Sequence, residues 1–94
     1  MDSLQSLADF YETIADDTRI GVTHICLYMA LLHEQNLSNL QSPLLVNRHE
    51  LMKNARISRR TYNKCMNELQ EFGYIKYEPS SNPFKKSTVY LNRL

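Results

Sequence analysis

"ISRRTYNKCMNELQEFGYIKY", residues 57–77, carries a conflict that decides how the whole chain is read. Ser58 is a helix-capping residue type and Gly73 a helix terminator, so the stretch predicts a helix from Arg59 to about Phe72. Arg59 and Arg60 then lie in the first turn, with Glu68 and Glu71 near the end. The helix dipole favours the opposite order, each exposed charge being worth about 0.3–1 kcal/mol. At about 100° per residue, Tyr62, Cys65, Met66, Leu69 and Phe72 share one sector, while Arg59, Arg60, Asn63, Lys64 and Asn67 occupy the other. One side is suited to a core. The other is either solvated surface charge or a surface for an anionic partner, because a phosphate nearing the first turn is drawn by the arginines and by the free backbone N–H groups together.

Outward from this helix the local signals continue. Asn47 with Glu50 three residues on is a capping-box pattern, and Val46 and Leu51 fall on the staple positions. "RHELMKNA" therefore predicts a short helix ending near Ala55, about three residues before the next begins. No glycine stands in that turn, and Asn54 is the candidate for its left-handed residue. Leu44, Leu45 and Val46 read as a short strand, after a loop, "NLSNLQSP". A helix from about Thr23 to Gln35 is apolar nearly all round and is expected to be enclosed. Before it, "SLQSLADFYETIAD" predicts an amphipathic helix with Leu4, Leu7, Ala8, Tyr11, Ile14 and Ala15 as its buried stripe and Asp9, Glu12 and Asp16 outside. "DDTRIG" separates the two. After Gly73, "YIKYE" sets Ile75 and Tyr77 against Tyr74 and Lys76, and "TVYL" sets Val89 and Leu91 against Thr88 and Tyr90. These two strands flank "PSSNPFKK", residues 79–86, a loop too long for a tight hairpin.

Composition narrows the function classes. With 94 residues, 43% apolar and 22% charged, the chain is expected to form one soluble domain with a modest core. Its longest apolar run, "ICLYMALL", falls well short of the ~20 residues of a membrane span, and no secretory signal pattern opens the chain, so a cytoplasmic protein is expected. Cys26 and Cys65 show no paired spacing, and His24 and Cys26, two apart on a helix, point away from each other. No metal or other cofactor is expected, and both cysteines read as small buried residues. Gly21 and Gly73 are the only glycines, which leaves no phosphate-cradling loop. No catalytic set stands at a recognisable spacing, so the chain reads as a non-enzyme without a small-molecule ligand. The net charge of +1 hides a division: residues 1–34 hold six acids and one base, residues 47–94 ten bases and four acids. Such asymmetry points to a polyanionic partner for the basic part.

The order helix, helix, strand, helix, helix, strand, wing, strand resembles the winged-helix DNA-binding family from about Thr23 to Leu91. "SRRTYNKCMNELQEFGYIKY" is similar to that family's recognition helix running into the first wing strand. "TYNKC", "GYIKY" and "NPFK" further resemble small winged-helix proteins carried on bacterial mobile elements. That group commonly has glycine after "NPFK", where this chain has Lys86, which implies a wing tip of different shape. The expected fold class is thus α+β, mostly α: a winged helix-turn-helix at 18–94 with an extra amphipathic helix at 1–17, serving as a brace or a homodimer contact, and a small antiparallel sheet. The resemblance implies sequence-specific binding of double-stranded DNA, in the bacterial nucleoid, by a small transcription regulator. Helix 59–72 would enter the major groove, and wing 79–86 would lie on the backbone or minor groove. The implied contact set is Arg56, Arg59, Arg60, Thr61, Asn63, Lys64, Asn67, Lys85 and Lys86. Glu68 and Glu71 are expected to repel the duplex from the far end of the helix, with Lys64 also placed to pair with Glu68. The same fold class serves two other roles: an accessory factor in replication or excision of a mobile element, and a protein-interaction module.

Overall fold

The computed structural model describes residues 7–37, 44–80 and 86–92. In them the chain forms α1 (Leu7–Ile14), α2 (Val22–Leu37), β1 (Leu44–Val46), α3 (Arg48–Ala55), α4 (Arg59–Glu71), β2 (Ile75–Glu78) and β3 (Ser87–Leu91). β3 lies between β1 and β2 and is antiparallel to both, with Leu44 and Tyr77 each opposite Val89. The result is a small α+β domain, mostly helical, with four helices and one three-stranded antiparallel sheet. None of the described helices is long and apolar enough to cross a membrane.

α2 is the central element, packed on α3, α4 and β1. Leu27, Tyr28 and Leu31 meet Leu51 and Ala55 of α3, Tyr62, Met66 and Leu69 of α4, and Val46, Ile75 and Val89 of the sheet in one core. Each such side chain contributes about 1.5–3 kcal/mol on burial. The expectation that α2 is wholly enclosed does not hold, because Val22, Met29 and Leu37 are exposed. The three other helices and a short sheet leave part of this 16-residue helix uncovered. Cys65 is buried as expected, whereas Cys26 is half-buried.

The stripe expected on α1 is also corrected. Phe10 is the residue fully buried there, while Leu7, Ala8, Tyr11 and Ala15 are exposed, Ile14 is half-buried, and Leu4 lies outside the described residues. Ring packing decides this: Phe10 stacks on Tyr28 at 4.0 Å and 8°, and meets Tyr74 edge-on at 5.8 Å. Tyr74 itself, expected on the polar side of its strand, is buried; it precedes β2, so strand alternation does not govern it.

Tyr74 also closes a brace. Its hydroxyl donates to Asp17 Oδ2 at 2.7 Å, and Asp17 accepts from the Arg19 backbone N–H, Nε and Nη2. Arg19 in turn lies over the Phe72 ring, 4.2 Å from its centroid. The loop between α1 and α2 is thus fastened to the end of α4. These bonds, the Arg19 guanidinium first and the Tyr74 hydroxyl second, hold the Asp17 carboxyl well below the usual carboxylate range. Burial, then the bond to Asp17, pushes the Tyr74 hydroxyl up to about 12.

Two helix ends use one device with unlike residues. After α4, Gly73 (φ 90°) leads into Tyr74 N–H bonded to the Leu69 carbonyl. After α3, Arg56 (φ 60°) precedes Ile57 N–H bonded to the Met52 carbonyl, with Arg56 N–H on Lys53. Both are Schellman ends, and the left-handed residue in the turn is Arg56, not Asn54. Asn54 stays helical because α3 continues to Ala55, capped in front by Asn47, whose Oδ1 accepts from Glu50 N–H at 3.1 Å.

Two measurements follow from these joints. A left-handed residue with a Cβ is strained, so Arg56→Gly is expected to be more stable than Arg56→Ala by about 1 kcal/mol in denaturant melts. Asp17, with its lowered pKa, adds stability that is present above its unfolded value of about 4 and is lost as pH falls below it. Asp17→Asn is therefore expected to melt below wild type at pH 7, with the gap closing as the pH is lowered from about 4 to 2.

Candidate nucleic-acid interface

α4 begins at Ser58, whose Oγ accepts from Thr61 N–H at 3.2 Å and donates to Thr61 Oγ1 at 3.1 Å. Thr61 is half-buried and belongs first to this cap. Tyr62, Cys65, Met66 and Leu69 point into the core, and Phe72 is half-buried beneath Arg19. Arg59, Arg60, Asn63, Lys64 and Asn67 are all exposed on the opposite side. Among the described residues no carboxylate stands within 4.0 Å of Arg59, Arg60 or Lys64. The first turn holds no acid and the last no base, so the charge order read from the sequence is the order on the surface.

Arg56 and Lys86 lie on other elements. Arg56, exposed in the turn after α3, lines a groove with Cys26, Met29, Ala30 and His33 of α2. Lys86 is exposed just before β3, while Lys85 lies outside the described residues. Lys53, exposed one turn before Arg56, adds a cation to the end of α3 that the sequence reading did not single out.

Glu68 departs from expectation. It pairs with His24 of α2 at 2.8 Å, not with Lys64, and so is not a free repelling charge. His24 Nδ1 accepts from Gly21 N–H at 3.0 Å, which places the ring proton on Nε2, facing Glu68. His24 here serves as the reciprocal half of a capping box, a role usually taken by Glu or Gln. Beside it, Cys65 Sγ donates to Thr23 Oγ1 at 3.3 Å. Glu71 remains exposed near Arg19.

His24, Cys65 and Glu68 also bring three metal-ligating atoms within 4.8 Å of one another. Sequence spacing could not show this grouping, since His24 and Glu68 are 44 positions apart. The tautomer argues against a metal centre: a neutral histidine that binds through Nε2 carries its proton on Nδ1, and here Nδ1 is an acceptor. The cluster acts as a hydrogen-bonded strut that fixes α4 against α2. It holds the helix that carries the basic face against α2.

Two buried hydroxyls, Tyr28 and Tyr62, lack a hydrogen-bond partner, although the Tyr77 hydroxyl lies near that of Tyr62 without a well-formed bond. Burial is the first cause that raises both above the usual tyrosine value. Neither reaches the exposed side of α4. Comparison with protein-family models, with curated proteins and with solved structures finds no match to this chain.

The strut yields a paired test. Glu68→Ala leaves the buried His24 N–H unpaired and is expected to cost about 1–3 kcal/mol in denaturant melts. Lys64→Ala is expected to stay within about 0.5 kcal/mol of wild type, because Lys64 has no partner to lose.

Proposed function

We propose that the protein is a winged helix-turn-helix that binds double-stranded DNA sequence-specifically and serves as a small transcription regulator without enzymatic activity. The element order supports this reading, with α3 and α4 joined by three residues and β2 and β3 flanking the wing. The observation that carries it is the outward side of α4, where Arg59, Arg60 and Lys64 stand exposed with no carboxylate within 4.0 Å among the described residues. Cations at a helix N-terminus are unfavourable in the free protein and become complementary when a phosphate arrives. The reading places the N-terminal half of α4 in the major groove. An arginine there can bridge guanine O6 and N7, and Asn63 or Asn67 can bridge adenine N6 and N7. Lys86, with Lys85, supplies phosphate contacts from the wing.

Selection from a random duplex pool at near-physiological salt tests this. An enriched motif supports a regulator. Salt-sensitive binding without enrichment favours the accessory role in replication or excision, and no binding favours a protein-interaction module.

Arg59→Ala and Arg60→Ala are each expected to weaken binding to the enriched duplex by about 1–3 kcal/mol while melting like wild type. Lys86→Ala should weaken all duplexes alike and reduce the salt slope by about 0.9. Titration by fluorescence anisotropy reads both, and wild-type affinity in both arginine variants would remove α4 from the interface.

A further inference from the structure

We propose that the two arginines opening α4 take different parts of a duplex: Arg60 reads a guanine in the major groove, and Arg59 holds a phosphate on the flank beside β2. The division rests on the duplex-binding reading above and names the residue that gives it a base preference. Three contacts fix the rotation of α4. On one flank, Gln70 Oε1 accepts from the Tyr77 N–H of β2 at 2.6 Å. On the other, Glu68 meets His24 at 2.8 Å and Cys65 Sγ donates to Thr23 Oγ1 at 3.3 Å, both partners lying on α2. Between these flanks Tyr62, Cys65, Met66 and Leu69 are buried.

This frame separates two residues that sequence period alone puts on one polar side. At about 100° per residue, Arg60 lies within about 10° of the direction opposite the mean of the four buried side chains. Arg59 lies about 110° from that outward direction, turned toward β2 and about 20° from the line of Gln70. Both are exposed. Arg60 therefore points straight away from the protein, and Arg59 points along its surface toward the wing strand. A helix seated in the major groove presents its outermost line to the base edges and its flanks to the phosphates at the rims. The fork of Arg60 suits guanine O6 and N7, the pair of acceptors on the groove floor. Arg59, beside the free N–H groups of the first turn, adds its charge to theirs for a phosphate.

Selection from a random duplex pool with the full chain, run for wild type, Arg59→Gln and Arg60→Gln, tests this, because glutamine bridges adenine N6 and N7 where arginine bridges guanine. Arg60→Gln is expected to change the enriched motif at one position from guanine to adenine, with a guanine preference of about 5- to 150-fold lost there. Arg59→Gln is expected to enrich the wild-type motif, bind it more weakly and lower the salt slope by about 0.9, and Arg59→Lys to restore the slope. Circular dichroism melts check that each variant folds as wild type does. A motif changed by Arg59→Gln, or the wild-type motif enriched by Arg60→Gln, overturns the division while leaving duplex binding in place. A wild type that enriches no motif overturns the sequence-specific reading and the division together.

Discussion

The rotational setting of α4 governs which of its charged residues reach the surface. Tyr62, Cys65, Met66 and Leu69 are buried against α2 and the sheet, each large apolar side chain worth about 1.5–3 kcal/mol. The unfavourable placing of Arg59 and Arg60 at the positive end of the helix is worth about 0.3–1 kcal/mol apiece. Burial therefore wins by a wide margin, and the arginines face outward whatever the dipole prefers. Turning the helix by one residue, about 100°, would expose the core side chains and bury guanidinium groups without partners. The cationic face is fixed by what lies behind it.

The parts of the fold that were legible in the sequence are those coded within a few residues. Asn47 marks the start of α3, Ser58 that of α4, and Gly73 the end of α4, because a cap is a bond between near neighbours. The exposed set on α4 follows from the same short-range period. What could not be read depends on partners far along the chain. On α1 two adjacent sectors are apolar, and periodicity does not choose between them; stacking of Phe10 on Tyr28 and Tyr74 does. Glu68 looked like a solvent-facing acid until the fold brought His24 beside it. One local signal was missed: His24 lies three residues after Gly21, where a side chain can reach back to the first N–H of α2.

The turn between α3 and α4 illustrates how tertiary packing holds an unfavourable residue. Glycine ends α4 in the left-handed region without strain, whereas Arg56 carries a Cβ through the same geometry after α3. Ile57 and Met52, the pair that accompanies a Schellman end, are both packed against the core and keep the turn closed. Arginine gives that position what glycine cannot, a side chain that lines the groove with Ala55. The strain therefore sits where the surface pairs an apolar floor with a cation.

Size and charge together bear on how α4 would engage a duplex. A single α4 reaches only a few phosphates, and so few contacts give weak binding at physiological salt. Two copies related by a two-fold axis present two such helices, which suit successive major grooves if they lie about 34 Å apart. Among the described residues the cations of α4 have no carboxylate partner. On this reading the uneven charge of the chain sets aside its basic part for a polyanion.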